Sequence, residues 1–309
     1  MFARLTASTL LLLFCLTACS APTTQQDSQP AISPSTPTGS QPAASTNAIA
    51  AERVVALTSL GADILHRLDA DKLVGIPGSR LLRADARFQD LTTVSEGRTP
   101  PNLEKITALE PDLVIGAVGF HDRTLEQLEA VGIDTLAVNV KSWPALAAVT
   151  QEIAEAIAAD PEALLASYRD MIPSTETETS PSTLVLVSRE PILAPTQNSW
   201  AGDLLNQFNV KNAIANFEGS SAFQGYATLS PEKVLAEDPE TIVLVDAGDG
   251  AIDALKSEPF WQELQAVKSD RVYTFDYYGL VNPGSIDTIT QACEQLAEMI
   301  SQADVQKNS

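Results

Sequence analysis

The chain is poor in cysteine, histidine and basic residues, and each shortage excludes a class of protein. Of its three cysteines, Cys15 and Cys19 fall in the N-terminal segment, which leaves Cys293 without a partner and rules out a disulfide framework. Two histidines are too few for a zinc or manganese site built on imidazoles, so we expect no directly bound metal. Acidic residues outnumber basic ones 40 to 19, and the net charge of −21 disfavours nucleic acid and anionic membrane surfaces as partners.

Sequence motifs of common enzymes are also missing. The chain has no G-x-S-x-G elbow, no phosphate-binding G-x-x-x-x-G-K-S/T loop and no complete G-x-G-x-x-G after a strand. The nearest approach, Asp246-Ala247-Gly248-Asp249-Gly250, lacks the third glycine. We therefore expect no enzymatic activity and no resident cofactor.

The N-terminus has the pattern of a lipoprotein signal peptide. Arg4 supplies the positive end, the run from Leu10 to Leu16 is apolar but too short to span a bilayer, and LTAC ends at Cys19. Residues 1–18 are thus predicted to be removed and Cys19 to carry lipid. The rest of residues 19–51, mostly Ser, Thr, Pro, Gln and Ala, is predicted to be a disordered tether. This predicts an exported protein, held on the extracytoplasmic side of a membrane by its lipid alone.

The body alternates short apolar runs with amphipathic segments, which indicates an α/β fold. One such series occupies residues 52–143 and a second occupies residues 183–303, followed by a short tail at 304–309. Residues 144–182 between them read as two helices and a polar stretch. We therefore predict two α/β lobes joined by a helical connector.

A similar sequence motif occurs once in each lobe. PNLEKITALEPDLVIG runs from Pro101 to Gly116, and LSPEKVLAEDPETIVLVDAG runs from Leu229 to Gly248. Each predicts a helix, a turn containing proline, and a strand, because proline disfavours helix in the residue before it. The repeat places Glu104 and Glu232 at equivalent positions near the start of corresponding helices.

Several conspicuous side chains are better explained as core residues. Cys293 lies on an apolar stripe with helical spacing, Trp261 shares an apolar helix face with Phe260, and His66 lies between apolar neighbours in ADILHRL. His121, in a loop beside Phe120, remains open as a ligand contact or as an axial ligand to haem iron.

Ligands of two-lobed α/β proteins bind where loops after the strands of both lobes converge, so the site should be built from these loops. Arginines and aromatic residues dominate them. The candidate ligand-binding residues are Arg80, Arg83, Arg98, Phe120, Arg189, Trp200, Gln224, Tyr226, Tyr277 and Tyr278. Guanidinium groups suit carboxylate, catecholate or hydroxamate oxygens and flat rings pack an organic skeleton, so this composition favours a ferric chelate over a sugar.

Four segments carry a resemblance to a known family: ERVVALTSLGADIL, PNLEKITALEPDLVI, LSPEKVL and SEPFWQELQAVKSDRVY. They resemble the helix-hinged cobalamin and ferric-siderophore substrate-binding proteins of ABC importers, a branch of the periplasmic binding proteins. The resemblance implies two Rossmann-like α/β lobes joined by a connecting helix. It also implies that Glu104 and Glu232 contact arginines of a permease dimer, and that Arg98, in GRTPPN, contacts iron-coordinating oxygens. At the family's tyrosine and tryptophan positions this chain has Phe120 and Gln224.

The resulting prediction is a monomeric, lipid-anchored solute-binding protein that delivers a ferric siderophore or another iron chelate to an ABC importer. Iron enters only as part of the ligand. Two alternatives remain open: a cobalamin- or haem-binding protein of the same fold, and a sensor or adhesion lipoprotein that works without a permease.

Overall fold

A computed structural model describes residues 50–96, 99–173, 180–217, 223–248 and 250–307. The predicted signal peptide, Cys19, almost all of the tether and Arg98 lie outside the described residues. Within the part that is described, no helix is both long and apolar enough to cross a bilayer. The sheets described below belong to one compact unit.

The first lobe contains a parallel sheet with helices between its strands. The strands are β1 (Val54–Ala56), β2 (Leu73–Ile76), β3 (Thr92–Thr93), β4 (Leu113–Ala117) and β5 (Asp134–Val138). The helices are α1 (Ser59–Asp69), α2 (Arg80–Arg83), α3 (Leu103–Ala108) and α4 (Asp122–Glu129). The sheet order is β3-β2-β1-β4-β5, and every neighbouring pair is parallel. The central strands β1 and β4 are almost wholly buried, which explains why they read as continuous apolar runs.

Two helices follow, α5 (Trp143–Ile157) and α6 (Glu162–Met171), as the sequence predicts for the connector. The Ser142 hydroxyl caps α5 by accepting a hydrogen bond from the Ala145 amide at 3.3 Å. Left-handed Ala158 ends α5, and the Asp160 carboxylate accepts from the Glu162 amide at 2.9 Å to begin α6. The exact lobe and connector boundaries remain predictions.

The second lobe has two small sheets. Its strands are β6 (Thr183–Leu186), β7 (Ser188–Arg189), β8 (Ile192–Pro195), β9 (Tyr226–Leu229), β10 (Thr241–Asp246) and β11 (Val272–Asp276). Its helices are α7 (Trp200–Gln207), α8 (Pro231–Glu237), α9 (Ala251–Lys256), α10 (Gln265–Lys268), α11 (Tyr277–Leu280) and α12 (Ile286–Lys307). A parallel sheet β11-β10-β6 lies beside an antiparallel sheet β7-β8-β9. The α/β fold class is confirmed, but the second lobe differs from the first through this antiparallel sheet.

The repeated sequence motif has the same geometry in both lobes. Glu110 and Asp238, each directly before proline, have positive φ angles of 48° and 36° and stand just after α3 and α8. The acidic residue after each proline then fixes the start of a neighbouring strand. Asp112 accepts from the Arg53 amide at 3.0 Å, and Glu240 accepts from the Ser182 amide at 2.9 Å. The sequence repeat therefore corresponds to a structural repeat.

The largest apolar cluster extends through both lobes and the connector. It includes Ile64 of α1, Ile153 of α5, Leu204 of α7 and Leu296 of α12, all fully buried. Burying each such side chain contributes about 1.5–3 kcal/mol. Helix α12 therefore packs against α1 as well as against its own lobe.

The expected core residues take their places in these clusters. Cys293 and Trp261 are buried, and His66 packs edge-on against Phe88 with ring centres 5.2 Å apart. Burial raises the pKa of the Cys293 thiol to about 12. The interpretation of Cys293 and Trp261 as core residues is confirmed, while His66 is half-buried and makes a structural ring contact.

Candidate functional site

Loops from the two lobes meet at the ends of their strands, and Arg80 marks one such meeting point. Arg80 begins α2 in the first lobe, where the Ser79 hydroxyl caps the helix by accepting from the Leu81 amide. Its guanidinium reaches the loop after β10 in the second lobe: a methyl group added at Gly248 would lie 3.9 Å from Nη1. Arg80 is exposed, so it presents a positive charge to solvent at this meeting point.

A second meeting point is formed by Lys141 and Gln224. The Lys141 ammonium, in the loop between β5 and α5, donates a 2.7 Å hydrogen bond to Oε1 of Gln224, which precedes β9. Both side chains are exposed. Gln224 belongs to the predicted ligand set, whereas Lys141 was missed. A lysine in a post-strand loop gives no signal of its own, because most lysines lie in solvated loops.

Three predicted tyrosines lie in the second lobe. Tyr277 and Tyr278 directly follow β11, and their rings meet edge to face at 5.5 Å. Burial, together with the nearby Tyr277 hydroxyl, raises the pKa of Tyr226 well above its usual range, so this phenol stays protonated at physiological pH. Tyr278 also approaches the first lobe, since a methyl group at Gly284 would touch both Tyr278 and Leu81. Tyr278 therefore brings its ring close to the lobe boundary, with the ring of Tyr277 beside it.

The loop after β4 presents an aromatic ring to solvent. Phe120 is 89% exposed, which leaves its ring open to a partner or ligand. The neighbouring His121 has an internal role. Its Nδ1 accepts the Ala117 amide at 2.9 Å, and burial lowers the pKa of the imidazole, which favours the neutral form. One ring nitrogen of His121 is thus already used to close the loop.

Trp200 is a correction to the predicted ligand set. Its side chain is only 4% exposed, its indole N–H donates to the Gly279 carbonyl at 2.7 Å, and its ring stacks on Trp143 at 6.0 Å. It therefore belongs to the core between the connector and the second lobe. The signal was present, because Ser199 is a helix cap and Trp200 and Leu204 are spaced as one buried helix face.

Arg189 already has partners within the protein. Its guanidinium lies 2.7 Å from Glu258 and also pairs with Glu190, so carboxylates of the protein itself already occupy it. It lines a cavity in the second lobe together with Pro231 and Phe260, and none of the other predicted ligand residues lines that cavity. Arg83 is exposed on α2 without a partner in the described part of the chain, and Arg98 lies outside it.

Glu104 and Glu232 occupy the same place in α3 and α8. Each stands two residues after its helix cap, Asn102 in the first case and Ser230 in the second, and each is exposed. The Ser230 hydroxyl and the helix amide hold the pKa of Glu232 below its usual range. Each lobe therefore presents one solvent-facing carboxylate from the first turn of an equivalent helix.

A family model described as periplasmic binding protein matches residues 54–278, which is most of the folded body. The chain belongs to this family. Membership makes it a solute-binding protein that works outside the cytoplasm.

Two curated proteins and one solved structure are similar to this chain. An ABC transporter substrate-binding lipoprotein of Bacillus subtilis is 25% identical over 81% of this chain and 80% of its own length. An Fe(3+)-citrate-binding protein of the same organism is 26% identical over 73% of both chains. The crystal structure of the periplasmic vitamin B12 binding protein of Vibrio cholerae is 23% identical, covers 82% of this chain and 98% of its own, and superposes with a TM-score of 0.66. That structure supports the fold of this periplasmic binding protein.

An ionic cluster that sequence reasoning missed joins the ends of the folded body. Asp63 of α1 is fully buried and lies 3.1 Å from Nε of Arg67 and 3.0 Å from Nη1 of Arg87. It also accepts the Ile286 amide at 2.7 Å, and Asp287 pairs with both arginines. Ion pairs that join residues about 200 positions apart leave no local signal in a sequence. In this periplasmic binding protein the cluster anchors the start of α12 to the first lobe.

Among the residues that the structure describes, no three His, Cys, Asp or Glu side chains come together as a candidate metal site. The groups gathered where the lobes meet, a guanidinium, an ammonium and phenols, instead suit an organic ligand with anionic oxygens.

Proposed function

We propose that this chain is a lipid-anchored, extracytoplasmic binding protein that delivers a ferric siderophore, or a related ferric chelate, to an ABC importer. The observation that carries the proposal is the pair of cations, Arg80 and Lys141, held where the two lobes meet in a protein whose net charge is −21. An anionic ligand needs such a local positive field to approach so acidic a protein. A relative that binds Fe(3+)-citrate supports the same class of ligand.

The aromatic groups complete the ligand chemistry. Phe120 offers an exposed ring from the first lobe, and Tyr277 and Tyr278 offer rings and hydroxyls from the second. Rings pack the organic skeleton of a chelate while cations bind its oxygens. On this proposal iron enters only with the ligand, the protein holds no cofactor, and it acts as a binding protein, not as a catalyst.

A fluorescence titration tests the ligand class. Trp143 stacks on Trp200 at the junction of connector and second lobe, so a change in lobe contact or energy transfer to an iron chelate should quench its emission. The panel is ferric citrate, a ferric hydroxamate, a ferric catecholate, haemin and cobalamin. We expect one of the three ferric chelates to bind with a Kd of about 1 μM or lower, near −8 kcal/mol. Binding of haemin or cobalamin alone would replace the proposed ligand, and no binding at all would contradict the proposal.

Docking to the importer is proposed to use Glu104 and Glu232. Their equivalent positions and exposure let one carboxylate from each lobe meet a cation of a membrane subunit. Bringing like charges together at an interface costs several kcal/mol, so Glu104→Lys combined with Glu232→Lys should abolish uptake and leave ligand affinity unchanged. A matched control is Glu126→Lys with Glu298→Lys, because these glutamates are also exposed, one before and one after the connector. Normal uptake by the docking variant would favour a sensor or adhesion role without a permease.

The anchor and the oligomeric state belong to the same proposal. Lipid on Cys19 would hold the protein at the membrane, as the description of the Bacillus subtilis lipoprotein relative suggests, and the monomer would be the working unit. Cys19→Ala should release the protein into the soluble fraction. Membrane retention of that variant would contradict lipid attachment at this residue.

A further inference from the structure

A cavity of about 380 Å³ lies beside the hairpin of β7 and β8 in the second lobe. Eight residues line it: Arg189, Glu190, Pro191, Ile192, Leu229, Pro231, Glu258 and Phe260. We call it the hairpin cavity. It is open to solvent and has room for large apolar side chains of another protein.

The floor of the hairpin cavity is apolar. Ile192, Leu229 and Phe260 are buried core residues that turn one side toward it, while Pro191 and Pro231 are exposed at its edge. Proline has little conformational freedom, so the edge loses little entropy when it is covered. An apolar recess with stiff edges is suited to an inserted apolar side chain.

The rim of the hairpin cavity is negatively charged. Arg189 is shared between Glu258 and Glu190, so two carboxylates face one guanidinium. The Glu190 side chain is 75% exposed and remains accessible to a further cation. Glu232, the proposed docking residue, directly follows Pro231, which lines the hairpin cavity. The charge favours a partner that carries arginine or lysine beside its apolar side chain.

From this geometry we infer that the hairpin cavity is part of the importer-docking surface and receives an apolar side chain, flanked by arginine or lysine, from a loop of a membrane subunit. The inference rests on the proposed function and names the partner chemistry at one of its two docking positions. The described part of the first lobe has no antiparallel hairpin beside Glu104. The two docking positions therefore differ, and this difference sets the orientation in which the binding protein sits on the importer.

Photo-crosslinking of the full-length chain in its native host tests the inference without knowledge of the ligand. One variant carries Glu190→p-benzoylphenylalanine on the rim, and a second carries Ala108→p-benzoylphenylalanine one helical turn after Glu104. A third, Glu298→p-benzoylphenylalanine, is a control on α12. All three replace exposed side chains, so the fold should be retained. After irradiation, adducts are purified from membranes and the attached peptide is identified by mass spectrometry.

We expect position 190 to crosslink to a membrane subunit of an ABC importer within one helical turn of an arginine or lysine, and position 298 to give no such adduct. Adding Glu232→Lys should lower the yield at position 190 about tenfold, because reversing the charge of the neighbouring docking residue costs about 1.4 kcal/mol. An adduct at position 108 but not at 190 would overturn the inference and leave the proposed function intact. An adduct at 190 with a second copy of this chain or with an unrelated protein would also overturn it. Absence of importer adducts at both positions would count against the proposed function itself.

Discussion

Removing the carboxylate of Asp63 should weaken the folded body more than any change at the surface. Asp63 is fully buried, faces the guanidinium groups of Arg67 and Arg87, and accepts the Ile286 amide. Asp63→Ala leaves two guanidinium groups and one amide without their shared acceptor. Loss of one partner from a buried ion pair costs about 3–5 kcal/mol.

The lower end of that range applies here. The side chains of Arg67 and Arg87 are 25% and 29% exposed, so water can solvate part of their charge, and both keep their contact with Asp287. We expect a loss of about 3 kcal/mol in the free energy of unfolding, which corresponds to a fall of roughly 6–12 °C in Tm. Asp63→Asn keeps an oxygen for the Ile286 amide and should cost less than Asp63→Ala.

Urea unfolding followed by tryptophan fluorescence measures this loss, with an unchanged m-value as the check that two-state behaviour is kept. Asp287→Asn is the matched control, since its side chain is 64% exposed and it contacts the same arginines; it should cost less than about 1 kcal/mol. Hydrogen exchange should also accelerate in the first turn of α12. If Asp63→Ala costs no more than Asp287→Asn, the cluster does not anchor α12 and the reasoning fails.

Three further predictions concern single groups. Burial lowers the pKa of His121, so the unfolded chain binds the proton more tightly than the folded chain, and the free energy of unfolding should fall as the pH drops below 6.5. His121→Asn should flatten the dependence of stability on pH. An unchanged dependence would contradict a buried, neutral His121. The pKa of the Cys293 thiol is raised to about 12, so little of it is thiolate at pH 8 in the folded protein. It should react with iodoacetamide roughly a thousandfold more slowly in the folded protein than in the protein unfolded in urea. Equal rates would refute its burial. Arg80→Ala should raise the Kd for the bound ferric chelate about tenfold while Arg169→Ala leaves it unchanged; equal affinities would exclude Arg80 from the site.

Periodicity in the sequence predicts most of the fold. Apart from the two-residue β3, the strands of both parallel sheets and the two connector helices give clear apolar patterns, and Cys293 and Trp261 follow from helical spacing alone. The antiparallel sheet was missed because β7 and β8 are short and because β8 pairs with β9, which lies far along the chain. Short strands with distant partners have too little local pattern to be recognised.

The candidate site was harder to predict, for two physical reasons. A position in a loop does not determine whether the side chain points toward a ligand or into the core. Trp200 was therefore assigned to the ligand site although it is buried in the core. Charged residues in turn find partners that local sequence cannot reveal: Arg189 pairs with Glu258, 69 positions away, and Lys141 pairs with Gln224, 83 positions away. The repeat of Glu104 and Glu232 was predictable because the turn chemistry around each is local.

The packing of α12 against α1 also determines when the body can be completed. The backbone amide of Ile286 donates a hydrogen bond to the carboxylate of Asp63, 223 positions earlier in the chain. Leu296 shares an apolar cluster with Ile64. A chain that emerges N-terminus first, from a ribosome or through a membrane, lacks these partners until α12 has emerged. Until then α1 lacks its contacts with α12, so the first lobe cannot complete its packing during synthesis or translocation. It does so only after α12 has been released.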